Sequence, residues 1–185
     1  MSRAVLISIR PKWCDLIISK KKTVEIRKSR PALNPPFKCY IYCTMGNPTL
    51  NIPISDERFR ADLLVNGMQS MNCPIGNGKV IGEFVCDDIQ WNGGSSLIVK
   101  EDREEATRGS CVSREDLFKY LGIIPGTSMY DKKCEFYCWH ISELKIYDEP
   151  KELSQFRSRE DHGAWITWKK VQRGPQSWCY VEELT

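Results

Sequence analysis

Nowhere do apolar residues run for the ~20 positions that a membrane-crossing helix requires. The longest such stretches, residues 4–9 and 15–18, are far shorter, so no membrane partner is expected. The Met-Ser-Arg start passes directly into a strand-like run, which reads as the absence of a cleavable signal and points to a cytoplasmic setting. The Gly-x4-Gly-Lys of phosphate-binding loops is missing, as is the Gly-x-Ser-x-Gly of nucleophile elbows. Those absences remove two large enzyme classes. No repeat, low-complexity tract or linker is found either, so nothing divides residues 1–185 into more than one domain.

What is present fits a globular chain. Hydrophobic residues make up 41% and charged residues 28%. A chain of this length buries roughly 70% of its unfolded surface and needs neither a metal nor a disulfide to fold. Nine cysteines are nonetheless many. Without a secretory signal they are expected as reduced thiols, mostly buried as small hydrophobes. Two spacings invite a zinc reading: Cys39-x3-Cys43, and Cys134-x3-Cys138 followed by His140. Both segments are rich in aromatic and β-branched residues and read as strands. Residues four apart on a strand lie ~13 Å apart, whereas both ligands of one zinc sit ~2.3 Å from it. No metal site and no cofactor is expected. Asp161-His162 could join a serine in a triad, but only geometry identifies one, and none is assigned.

The net charge of +3 is small, and its distribution is uneven. Lys20, Lys21, Lys22, Arg27, Lys28 and Arg30 stand against the single acid Glu25, so this segment carries +5 and the remainder −2. Residues 165–173 add Lys169, Lys170 and Arg173 without an acid, beside Trp165 and Trp168. Cations interleaved with flat aromatics suit a ligand made of phosphates and bases. The plainer alternative is a set of solvated faces on ordinary elements.

Periodicity predicts strands over residues 4–9, 23–28, 37–43, 79–89 and 134–146, with a short final strand at 178–181. In the second of these, Val24 and Ile26 point one way and Thr23, Glu25 and Arg27 the other. Helices are expected over 11–19, where Pro11 suits a first turn, around 55–65, and from Ser113 to a stop at Gly122. Residues 150–156 read as a helical turn. The class is α+β, a mainly β core with two or three helices.

Within this frame, Lys22, Glu25 and Arg27 stand in a Gly-x-Lys-x-x-Glu-x-Arg pattern that follows the strand and helix of residues 4–19, with Lys20 in place of the glycine. Lys79-Val80-Ile81-Gly82-Glu83-Phe84, Trp139-His140-Ile141 through Tyr147, Pro150-Lys151-Glu152-Leu153 and the ending Gly174-Pro175-Gln176-Ser177-Trp178-Cys179-Tyr180-Val181 complete a pattern over nearly the whole chain. The chain thereby resembles the ASCH domains of the PUA-like superfold, in their phage and bacterial form. The resemblance leaves 45–77 and 93–112 as elaborations. It implies a PUA-like mixed β-barrel with two or three peripheral helices, and a cleft between the first helix and the barrel mouth.

Relatives of this kind are associated with RNA or with modified nucleosides and bases, and DNA is a further candidate partner. The resemblance therefore implies a nucleic-acid-binding module whose ligand contacts are Lys22, Thr23, Glu25, Arg27, Gln176, Ser177, Trp178 and Tyr180. Phosphates would meet Lys20, Lys21, Lys28 and Arg30. The alternative is a small hydrolase acting on an acetylated cytidine or on RNA, with Glu25 activating water and Lys22 stabilising the oxyanion. Glu25 stands where the amide-hydrolysing relatives carry threonine, and a carboxylate there holds the Lys22 amine protonated, which ranks binding first. A protein-interaction module in transcription regulation is the third reading.

Overall fold

The computed structural model describes residues 2–58, 73–93, 107–122, 135–161, 163 and 165–184. Its strands are β1 (Arg3–Ile9), β2 (Val24–Arg27), β3 (Phe37–Cys43), β4 (Val80–Cys86), β5 (Ile89–Asn92), β6 (Phe136–His140), β7 (Ser142–Lys151), β8 (Arg157–Asp161), β9 (Ile166–Lys170) and β10 (Trp178–Glu182). Helices are α1 (Pro11–Ile18) and α2 (Arg114–Leu121), with a 3-10 turn at Leu153–Gln155. Two compact units result: Met1–Asp15, Lys38–Phe84 and Leu144–Thr185 form the first, and Leu16–Phe37 with Val85–Glu143 form the second.

The first unit is built on a seven-stranded sheet in the order β7-β4-β3-β1-β10-β8-β9. β1 lies inside it, parallel to β3 and antiparallel to β10. That position explains its sequence. A strand covered on both faces needs apolar side chains on both, and Ala4 through Ile9 are all buried. One face of the sheet contributes Ala4, Leu6, Tyr40, Val80 and Val181 to a core closed by Phe156, whose ring meets Tyr40 edge-on at 4.9 Å. The second unit carries the antiparallel sheet β2-β6-β5. Ile26, Phe136 and Cys138 pack there against Leu117 of α2. Ser113 caps this helix by accepting from the Asp116 amide at 3.1 Å, and Gly122 ends it at φ +77°, as the sequence predicts.

Mostly sheet with a few helices is the observed class, but the barrel expectation is corrected. Among the described strands the large sheet ends at β7 and β9 and does not close. The strand expected at 79–89 is two strands. Asp87 and Asp88 interrupt it, because the Asp87 carboxylate meets the His140 imidazole at 2.6 Å and the Asp88 carbonyl accepts from the His140 amide. The strand expected at 134–146 breaks at Ile141, whose amide donates to the Thr23 carbonyl, and β7 then runs on to Lys151. Of the helix expected at 55–65, residues 56–58 are helical, with the Ser55 hydroxyl accepting from the Arg58 amide; its remainder lies outside the described residues. The same is true of Cys134 and His162, and so of the second zinc spacing and the triad. Cys39 and Cys43 are both buried on β3.

The turn out of α1 shows what Lys20 does in place of glycine. Its amide donates to the Ile17 carbonyl and the Lys21 amide to the Leu16 carbonyl, both at 2.9 Å, a Schellman closure that puts Lys20 at φ +58°. A left-handed backbone costs a residue with a Cβ about 1–2 kcal/mol. Lys20→Gly is therefore expected to raise stability by about 1 kcal/mol in urea denaturation, part of the relief being lost to glycine's freedom in the unfolded chain. An unchanged or lower midpoint would show that the turn is not strained.

Candidate nucleic-acid interface

The segment leaving α1 turns three charged side chains into the interior of the second unit. Lys22, Glu25 and Arg27 are all buried, with Lys22 only 2% exposed. The Lys22 ammonium donates to the Ser110 carbonyl at 2.6 Å and the Val24 carbonyl at 2.8 Å, and lies 3.2 Å from Glu25 Oε2. Three acceptors match the three protons of an ammonium. The other carboxylate oxygen, Oε1, lies 2.9 Å from Arg27 Nη2. Glu25 is thus shared between two cations, each oxygen facing one of them.

Register places these groups. β2 pairs antiparallel with β6 so that Glu25 opposes Trp139 and Arg27 opposes Tyr137, while Ile26 opposes Cys138. Trp139 is fully buried and meets Phe37 edge-on at 6.0 Å. Around the charges the interior is apolar. Burial pushes the Cys138 thiol up to about 12, against the opposing charge of Lys22, so it stays protonated at neutral pH and offers no nucleophile. Burial likewise raises the Tyr120 hydroxyl, with Arg27 opposing.

Thr23 is exposed, but its backbone is held at both ends: its amide donates to the Gly109 carbonyl at 2.8 Å and its carbonyl accepts from Ile141. The segment beneath it belongs to the site. Gly109 adopts φ +81°, and a Cβ there would collide with the Thr23 hydroxyl. Ser110 is buried and supplies the acceptor for Lys22. Sequence reasoning set residues 93–112 aside as an elaboration and missed both. Little could have revealed them, because they act through carbonyls that every residue carries.

Lys20, Lys21, Lys28 and Arg30 are all exposed, and no carboxylate of the described residues pairs with them. The Lys28 ammonium lies 5.0 Å from the centre of the Tyr120 ring, and the Arg30 guanidinium donates to the carbonyls of Pro31 and Leu33. The structure therefore separates the basic segment into two sets: Lys22 and Arg27 inside with Glu25, and four cations outside.

The remaining expected contacts belong to the first unit. Gln176 is exposed, and Ser177, Trp178 and Tyr180 are half-buried. The Ser177 carbonyl accepts from the Ser8 amide at 2.9 Å. The rings of Trp178 and Tyr180 meet edge-on at 5.5 Å, and Arg3 lies over Tyr180 at 5.6 Å. Among the described residues no group of carboxylates, thiols and imidazoles is arranged to hold a metal, and no helix is long and apolar enough to cross a membrane.

No family model and no curated protein matches the sequence. Solved structures do. The crystal structure of ASCH from Zymomonas mobilis superposes at a TM-score of 0.55 and 17% identity, covering 97% of this chain and 88% of that one. Two variants of the same protein, one with tyrosine replaced by phenylalanine and one with serine replaced by alanine, superpose at TM-scores of 0.52 and 0.54 with 16% and 17% identity. They cover 97% of this chain and 91% and 89% of theirs. The chain has the fold of an ASCH domain.

Removing the shared carboxylate should be costly, because it leaves two buried cations without their counter-charge. Glu25→Gln is expected to lose about 3–5 kcal/mol in chemical denaturation. Glu160→Gln, which breaks the exposed ion pair with Lys169, should lose less than about 1 kcal/mol. Equal losses would show that the buried charges are not coupled.

Proposed function

We propose that this chain is a nucleic-acid-binding module that takes RNA, or a modified nucleotide, on the basic face beside the end of α1, in a cytoplasmic setting. The observation that carries this reading is the division of the basic segment. Lys20, Lys21, Lys28 and Arg30 face solvent and pair with no carboxylate of the described residues, on a backbone fixed by the buried Lys22, Glu25 and Arg27. Unneutralised cations on a rigid turn attract phosphates and release their counterions. In this reading Lys22 and Glu25 position the segment, with Thr23 at its exposed rim. On the first unit, taken by itself, Gln176, Ser177, Trp178 and Tyr180 are proposed to offer base-edge hydrogen bonds and stacking.

The hydrolase reading is the second. It asks Glu25 to activate water and Lys22 to meet an oxyanion, but Glu25 is turned toward Lys22 and Arg27, and the Lys22 ammonium toward Glu25 and two protein carbonyls. A buried ammonium whose protons are all engaged is a poor nucleophile. Binding is therefore ranked above turnover.

The test is affinity for single-stranded RNA at two salt concentrations. Four phosphate contacts on a single strand give a slope of log K against log salt near about −3, so affinity should fall about 50-fold between about 50 and 200 mM salt. Replacing Lys20, Lys21, Lys28 and Arg30 together by glutamine should flatten that slope. An affinity indifferent to salt would overturn the reading. So would turnover of acetylated cytidine or RNA that Lys22→Ala abolishes, which would put the hydrolase first.

A further inference from the structure

The first unit carries a cavity that the basic segment does not account for. Its volume is about 550 Å³, within the range that takes a small organic molecule. The end of β3, the 3-10 turn at Leu153–Gln155 and the segment after β9 form it, and every lining residue belongs to that unit. Two backbone hydrogen bonds tie these pieces in place. The Val171 amide donates to the Phe156 carbonyl at 2.9 Å, and the Gly78 amide to the Cys43 carbonyl at 2.8 Å.

One lining residue is a buried polar side chain in want of a partner. Tyr42 is only 8% exposed and belongs to the core that Val171 and Phe156 share. Gly174 presses on its ring so closely that a Cβ there would collide with it. Packed in this way, the Tyr42 hydroxyl makes no hydrogen bond with any described residue. Burial, with the neighbouring Cys43, raises this hydroxyl above its ordinary range, so at neutral pH it keeps its proton to donate.

The groups around it also seek acceptors. Arg173 is exposed and pairs with no carboxylate of the described residues. The amides of Gln172, Arg173 and Gly174 donate to none of them either. Among the described lining residues the one acid is Glu152, which Lys79 engages at 2.9 Å. With that pair neutralised, the lining keeps one positive charge, on Arg173. Ser154 and Gln172 add neutral polar side chains, and Met45, Leu153 and Val171 supply an apolar wall.

We propose that this cavity binds a small organic molecule that carries one carboxylate on an apolar body. A guanidinium meets a carboxylate through two parallel hydrogen bonds, and the Tyr42 hydroxyl offers a further donor. One negative charge matches the single cation, whereas a phosphate monoester brings two. The apolar wall gains by covering the body of the ligand. A singly charged phosphodiester shares the anion chemistry and is separated from a carboxylate by experiment. The site uses none of the residues assigned to RNA above and goes beyond that reading.

The test is titration of the full chain with phenylacetate, followed by nuclear magnetic resonance. Two further probes are 2-phenylethanol, which keeps the ring without the charge, and diuridine monophosphate, which carries a phosphodiester. Phenylacetate should bind, and 2-phenylethanol should bind about tenfold or more weakly. Tyr42→Phe, which keeps the packed ring, and Arg173→Gln should each weaken phenylacetate about tenfold. Lys12→Gln, outside the cavity, should leave it unchanged. RNA affinity and its salt slope should be unchanged in Tyr42→Phe. Wild-type protein that binds neither anion overturns the site, as does phenylacetate binding that both cavity substitutions leave intact or that Lys12→Gln weakens equally. Tighter binding of diuridine monophosphate, lost in the same variants, overturns the carboxylate in favour of a phosphodiester. A loss of RNA affinity in Tyr42→Phe overturns the separation of this cavity from the RNA site.

Discussion

One carboxylate holds the second unit's charged interior together. Glu25 gives one oxygen to Lys22 and the other to Arg27, in surroundings where an isolated charge would cost several kcal/mol. Lys22 also reaches the carbonyls of Val24 and Ser110, and so ties the start of β2 to a segment 88 positions away in the chain. An apolar cluster of the same volume would be at least as stable. What it would lack is direction: ion pairs and hydrogen bonds define one arrangement of the chain, and the exposed cations on either side inherit that arrangement.

The two units present charge in different ways. On the basic segment, Lys20, Lys21, Lys28 and Arg30 flank a short strand whose own polar side chains are buried. On the far part of the large sheet, arginines and rings alternate across strands whose pairing fixes their spacing.

The sequence was most legible where one physical requirement dominates. Pro11, Ser113 and Gly122 marked helix ends correctly because caps and φ constraints are local. The alternation Val24-Glu25-Ile26-Arg27 gave β2, and the resemblance gave its polar face to a ligand, whereas Glu25 and Arg27 are buried against each other. A period of two fixes which residues share a face and says nothing of what covers it. β8 escaped detection because Arg157-Ser158-Arg159-Glu160-Asp161 has no apolar alternation; its pairing with β9 and β10 makes it a strand. The role of Ser110 was hidden for another reason, since its contribution is a backbone carbonyl. Lys20 is the instructive case: the pattern marked its position for glycine, and the observed φ of +58° shows that the turn kept its shape with the wrong residue.

The most direct test of the central claim is hydrogen–deuterium exchange of the full chain with and without single-stranded RNA. The account predicts slow exchange at the amides of Thr23, Val24 and Ile141 in the free protein, where the buried charges hold the backbone hydrogen bonds. It also predicts added protection in residues 20–30 when RNA is present. Rapid exchange at those three amides, or RNA-dependent protection that leaves residues 20–30 untouched, would contradict it.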